Sequence, residues 1–280
     1  MPGEIEAATV DHRLRPESAD EAAMVARVCE ALGVPHRTLK VVVQRGNLQA
    51  EARTARYAAL GSWLDHRHIE ALATAHHAED QAETLLMRLN RGSGLSGLAG
   101  IRARSSVPGT HRRLLRPLLG WRRAELEVVV RVAGLEPARD PSNQSEAFDR
   151  ARVRKVLEAC DWFDPLAFAK SASLIAEVER AIDWLATEEL HDCAELGPEY
   201  AYYPYRRRLG EVAIRPLWVN VVQEMAGQIG CPLGKADAAS LIESLERGEK
   251  RNIGGLQGRV ERRGGEVVWL LAPESPRGVR

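Results

Sequence analysis

The residues best suited to chemistry lie in Ala75-His76-His77-Ala78-Glu79-Asp80-Gln81-Ala82-Glu83-Thr84, which brings two imidazoles and three carboxylates close together. Groups of this kind can move protons, meet a ribose or bind a cation. Ala78, Ala82, Leu85, Leu86 and Leu89 recur at helical spacing, so one face of the segment packs on a core and the polar groups gather on the other. His76 and Asp80 are four apart and His77 and Asp80 three apart, which lets their side chains converge on one ligand or ion. A metal-hydrolase cluster and a purely structural helix start are both open readings of this stretch alone. No further His pair with ligand spacing supports the metal reading.

Those residues need a scaffold, and 280 residues are enough for a large domain and a smaller one. No apolar run reaches the eighteen or so residues of a membrane span, and no leader pattern opens the chain, so a cytoplasmic protein is expected. Cys29, Cys160, Cys193 and Cys231 are far apart and form no CxxC pair, which argues against a zinc cage and a disulfide framework. Formal net charge is zero, but no Asp or Glu occurs between Glu83 and Glu125. That window holds Arg88, Arg91, Arg102, Arg104, Arg112, Arg113, Arg116, Arg122 and Arg123, a local field suited to phosphates or a solvated basic surface.

Periodicity supplies the elements. Glu4 to Val10 predicts a strand that ends at Asp11-His12, Ser18 opens a helix stopped by Gly33, and His36 to Val43 predicts a second strand. Asn47 can cap the next helix, and Ile69 to Ala75 forms a third strand just before the motif. Strands alternating with helices imply βαβ units and a mainly parallel sheet, whose ligands bind beyond the carboxyl ends of the strands. Asp11-His12 and His76-His77 would then open onto one edge. Ser105 to Thr110 reads as an exposed loop, Trp121 to Val132 as a helix ended by Gly134, and Asp140-Pro141-Ser142-Asn143 as a turn. The junction falls near there, giving domains 1–148 and 149–280. The second is expected to be mainly helical with a hairpin at Gly264-Gly265.

The series Val10-Asp11-His12-Arg13-Leu14-Arg15-Pro16-Glu17-Ser18, Gly46-Asn47-Leu48-Gln49-Ala50-Glu51-Ala52-Arg53, His76 to Thr84, Arg91-Gly92-Ser93-Gly94, Arg116-Pro117-Leu118-Leu119, Asp140 to Asn143 and Asp149-Arg150 resembles the tRNA(Ile)-lysidine synthetase family of PP-loop ATP pyrophosphatases. Several motifs in order carry far more than any one of them. The resemblance implies an adenine-nucleotide alpha-hydrolase-like, Rossmann-like α/β domain and a smaller helical domain that helps hold tRNA. It also implies an activity: ATP adenylates the C2 oxygen of the wobble cytidine in the CAU anticodon of tRNA(Ile), and free L-lysine then attacks C2 to give lysidine. ATP and Mg2+ are the implied cofactors.

By the same resemblance His76, Asp80 and Arg91 are catalytic, and Asp11, His12, His77 and Glu79 bind the nucleotide. Arg53, Arg56, Arg116 and Arg150 bind tRNA, and Asp80 meets the metal. Glu79 stands where the family usually has an aspartate. The family's Ser-Gly-Gly-x-Asp-Ser loop, which wraps phosphates with backbone N–H groups, does not occur in the sequence. The expectation that follows is a chain shortened at its amino end, lacking the first strand and its loop. An RNA-binding remnant without catalysis, or another PP-loop tRNA-modifying enzyme such as a cytidine-thiolating one, are the alternatives. Residue by residue, Arg53 and Arg56 could instead pair with Glu51 or Asp65, Arg91 could be a helix cap, and Arg206-Arg207-Arg208 beside Tyr202, Tyr203 and Tyr205 could be an RNA patch or a solvated turn.

Overall fold

The computed structural model of the protein describes residues 5–14, 17–43, 48–137, 149–204 and 215–274. The turn at Asp140 to Asn143, the Gly46-Asn47 cap and the Arg206-Arg207-Arg208 run lie outside the described residues. Two compact units, Met1–Ile175 and Ala176–Arg280, make up the chain.

The first unit begins β1 (Ala7–Asp11), α1 (Ser18–Ala31), β2 (His36–Lys40), α2 (Leu48–Arg67) and β3 (Ala71–Ala73). It continues with α3 (Ala78–Asn90), the short α4 (Leu95–Leu98), β4 (Arg104–Ser106), β5 (Arg113–Leu115), α5 (Arg123–Val132) and α6 (Asp149–Glu158). The division between the units falls inside α7 (Pro165–Cys193). The sequence pattern places the junction near residue 149, at the start of α6. Arg150 and Arg154 of α6 are ion-paired to α3 within the first unit.

β1 runs parallel to β2 in register from Ala7 opposite His36 to Asp11 opposite Lys40. β3 runs parallel to β5, and β4 pairs antiparallel on the other side of β5. One continuous parallel sheet is therefore replaced by two short ones. Among the described residues β1 pairs only with β2 and β3 only with β5, so each keeps an unpaired edge. A shared core joins them. Tyr57, Leu60 and Leu64 of α2 pack with Leu72, Val107 and Leu114, and Ala8, Val10 and Leu39 lie against the same cluster. The segment expected to be an exposed loop is more ordered than its composition suggests. Ser105 and Ser106 belong to β4, Val107 is wholly buried, and the turn closes on Thr110 and Gly109, whose φ is +77°.

The second unit holds the end of α7, then β6 (Glu195–Gly197), β7 (Tyr200–Tyr203), α8 (Arg215–Gln228), α9 (Lys235–Glu246), β8 (Arg251–Ile253), β9 (Leu256–Arg263) and β10 (Glu266–Pro273). The expected hairpin is there: Arg263 pairs with Glu266 across Gly264-Gly265, whose φ values of +57° and +85° suit the primed turns that match strand twist. It is not alone, because β10 also pairs with β7 and the sheet grows to five antiparallel strands in the order β6-β7-β10-β9-β8. Strict alternation in β7 made this strand possible: Ala201 and Tyr203 point to the core and Tyr200 and Tyr202 do not. Trp269 meets Trp218 edge-on at 5.6 Å and Tyr203 at 6.0 Å, inside a core closed by α8 and α9. None of the described helices is long and apolar enough to cross a membrane.

Candidate functional site

α3 starts where β3 ends, and its first turn is built by its own polar residues. His77 is the N-cap with extended backbone, and its N–H donates to Asp80 Oδ2 at 3.0 Å. This satisfies a donor that a helix start would leave open and sets an acid against the positive end of the helix dipole. Ala78, Ala82 and Leu85 of the apolar stripe read from the sequence are buried in the interior, whereas Leu86 is half-buried and Leu89, in the last turn, is 50% exposed. Two polar residues share that interior, Gln81 and Glu83.

Glu83 is 1% exposed and sits among arginines rather than apolar groups. Arg150 Nε donates to Glu83 Oε2 at 2.5 Å and Arg154 Nε to Glu83 Oε1 at 2.7 Å, while Arg150 Nη2 donates to Asp80 Oδ1 at 2.6 Å. A buried carboxylate needs such partners to stay charged. The chain Arg154, Glu83, Arg150, Asp80 thereby docks α6 on α3. Gln81 clamps a different segment. Its Nε2 donates to the Ile101 carbonyl at 3.0 Å and its Oε1 accepts from Ile101 N–H at 2.6 Å.

His76 lies before the helix, with Nδ1 3.0 Å from Thr74 Oγ1. Burial, foremost, and the charges of Arg116, Arg150 and Arg53 hold its imidazole below the ordinary histidine range, against an opposing pull from Asp80. It is neutral at pH 7. Asp11, 5% exposed at the end of β1, accepts from Arg13 N–H at 2.9 Å and from Ser18 Oγ at 2.8 Å. The first of these bonds does most to hold its carboxyl below the usual range. Ser18 thus ties α1 to β1, and the N-cap position of the helix falls on Glu17. Arg56 donates from Nε and Nη2 toward His12 Nε2 at 3.4 and 3.3 Å. That assigns the His12 proton to Nδ1, which is buried and has no partner among the described residues. Burial and Arg56 keep this histidine neutral too. Arg53 lies 4.9 Å over the Tyr57 ring. Since Arg53 and Arg56 stand one turn apart on α2 and act on His76 and His12 respectively, the ends of β1 and β3 do face one region.

Other expected site residues fall differently. Glu79 Oε2 is shared between His77 Nδ1 at 2.9 Å and the Arg123 N–H that opens α5 at 2.9 Å, so this carboxylate joins two helix starts. Arg91 is the C-cap of α3, with Gly92 after it at φ +64°, and its guanidinium meets Asp149 at 3.2 Å. Thirteen residues of helix separate it from the start of α3, roughly 20 Å along the axis. Arg116 was expected on an RNA-facing surface but is 8% exposed, because it follows β5 inward; Nη1 donates to the Arg102 carbonyl at 2.6 Å and to Ser105 Oγ at 3.1 Å. Arg150, also expected on RNA, has its fork closed on Asp80 and Glu83. Asp65 pairs with Arg112, not with Arg53 or Arg56. Glu83, Gln81 and Arg154 went unassigned in the sequence; a carboxylate and an amide inside an apolar helical stripe were the available signals. Among the described residues no group of three His, Cys, Asp or Glu side chains could hold a metal ion.

Residues 2–159 match the PP-loop domain model, more than half of the chain, so the site and its α/β scaffold are those of a PP-loop domain protein. Relatives narrow this further. The chain is 45% identical over 269 residues to a tRNA(Ile)-lysidine synthase of Novosphingobium aromaticivorans, covering 95% of this chain and 81% of that protein. It is 38% identical over 277 residues to a tRNA(Ile)-lysidine synthase of Zymomonas mobilis, covering 98% of this chain and 82% of that one. The chain belongs to the tRNA(Ile)-lysidine synthase family.

Proposed function

We propose that the protein joins free L-lysine to C2 of the wobble cytidine of tRNA(Ile) in an ATP-dependent reaction, through an adenylated intermediate. The observation that carries this reading is the 45% identity to a lysidine synthase across 95% of the chain. ATP supplies the activation: the C2 oxygen, a poor leaving group, departs as part of AMP once adenylated.

The residues present fit a nucleotide at the ends of β1 and β3. Two buried nitrogens there, His12 Nδ1 and Arg116 Nε, have no partner among the described residues, as expected of donors reserved for a ligand. Asp11 holds the loop after β1 through Arg13 and Ser18, and His77 fixes the start of α3. Magnesium would neutralise phosphate charge, with Asp80 as the carboxylate to meet it; the two oxygens of that carboxylate already accept from Arg150 and from the His77 N–H. His76, neutral and with Nε2 unpartnered among the described residues, is placed to meet the reacting groups at these strand ends. Arg53 and Arg56, exposed on α2, are the arginines left to meet RNA phosphates. The second unit is read as an aid to holding tRNA, with Arg263 stacked 4.2 Å over Tyr202 as its clearest base-stacking surface.

The test is direct. The purified chain is incubated with ATP, L-lysine and a tRNA(Ile) transcript carrying the CAU anticodon, and nucleosides from the digested RNA are weighed by mass spectrometry. A lysine- and ATP-dependent lysidine peak with matching pyrophosphate release is expected. A folded chain that yields neither refutes the reading.

A further inference from the structure

We propose that Arg116 and His76 form a binding site for a phosphate group at the carboxyl ends of β3 and β5. The site deepens the ATP- and tRNA-directed reading above and rests on it for the source of the phosphate.

Parallel pairing puts the two residues together. Ala73 is opposite Leu115 and Thr74 N–H donates to the Leu115 carbonyl at 2.9 Å, so Arg116 leaves β5 just where Thr74 and His76 leave β3. Arg116 is an arginine with 8% exposure and no carboxylate partner among the described residues. An uncompensated buried cation is costly, and a site that keeps one is stabilised when an anion arrives. Its Nη1 donors fix the guanidinium through the Arg102 carbonyl and Ser105 Oγ, which leaves Nε buried and unpartnered. His76 is held at Nδ1 by Thr74, so its other ring nitrogen is available.

The surrounding charge has the right sign. Arg116, Arg150 and Arg53 all act on His76, and Asp80 is the one carboxylate that does. Arg150 is already balanced by Asp80 and Glu83, whereas Arg53 stacks on Tyr57 with no carboxylate partner among the described residues. A surplus of two guanidiniums beside a neutral imidazole suits a phosphate, which accepts from a planar fork and from a ring N–H together. The group can belong to a nucleotide or to an RNA backbone.

Imidazole NMR of the full chain, with His76 assigned from the spectrum of His76→Gln, reads the site. Inorganic phosphate is expected to shift His76 saturably, and Arg116→Met to weaken that binding by about 10-fold or more, the usual loss for a charge-assisted hydrogen bond. If Arg116→Met does not fold, Arg116→Lys carries the test, with a several-fold weakening expected because the charge stays and the fork is lost. AMP binding more tightly than phosphate assigns the group to a nucleotide; a short single-stranded RNA without terminal phosphate doing so assigns it to the backbone. No saturable shift, unchanged affinity in a folded Arg116 variant, or a stronger response to the L-lysine carboxylate than to phosphate overturns the proposal. A chain that binds phosphate but makes no lysidine refutes the function and keeps the site, and one that makes lysidine with His76 blind to phosphate refutes the site alone.

Discussion

The guanidinium of Arg150 stands 2.6 Å from Asp80 Oδ1, so a residue in the first turn of α6 fixes a carboxylate in the first turn of α3. The same guanidinium reaches Glu83, and the pair Glu83 and Arg154 completes the joint. Removing one member therefore disturbs both the docking of α6 and the aim of Asp80.

Glu83→Gln is expected to destabilise the first unit by about 2 kcal/mol, below the ~3–5 kcal/mol of fully buried pairs because the Arg150 side chain is 41% exposed and can regain water. Urea unfolding measures it. A loss within about 0.5 kcal/mol, the noise of a surface change, would mean that water already screens the network.

Acid is expected to act on the strand ends before the rest of the fold. His76 and His12 both have folded pKa values below the ordinary 6.5, mainly through burial. The unfolded chain then binds more protons than the folded one as pH falls below about 6.5, so stability is full above that value and declines below it. Imidazole NMR titration should show both rings still mostly neutral at about pH 6.5, where an unperturbed ring is half protonated; normal midpoints would show that the site is wetter than its geometry implies.

Gly100→Ala should cost about 1–2 kcal/mol, since an L side chain at positive φ is strained and its Cβ needs room as well. Here φ is +61°, and a Cβ would come 2.5 Å from Gln81 Oε1, the atom that accepts from Ile101. Thermal melting tests this. An unchanged midpoint would show that the Gln81 clamp can move at little cost.

His76→Ala and Asp80→Asn are each expected to lower lysidine formation by at least about 100-fold, the scale of a lost proton-transfer or charge-orienting group. Circular dichroism should stay native, because the amide oxygen introduced by Asp80→Asn can still accept from the His77 N–H and His76 lies outside α3. Turnover retained in both variants would remove these residues from the mechanism.

Much of the site could be read in sequence because local patterns are short-range. The strand, polar-turn and helix order from Ile69 to Asn90 follows from periodicity, and His77 and Asp80 meet because a helix start brings positions three apart together. Glu79 illustrates the limit. Its charge and neighbours suit a nucleotide, yet its carboxylate is spent on Arg123 N–H, forty-four residues away.

The amino-acid sequence by itself determined the type of most elements, the placing of His12 and His76 just beyond strands, and the family, since each depends on residue type at fixed spacing. Tertiary structure alone decided which arginines are available. Arg53 and Arg116 look alike in sequence, but one lies on an exposed helix face and the other follows a strand into the interior. Arg150 is claimed by acids some seventy positions earlier in the chain. Burial and ion pairing are long-range, so the same guanidinium becomes a surface contact, a joint between helices or a buried unpaired charge according to what the fold sets beside it.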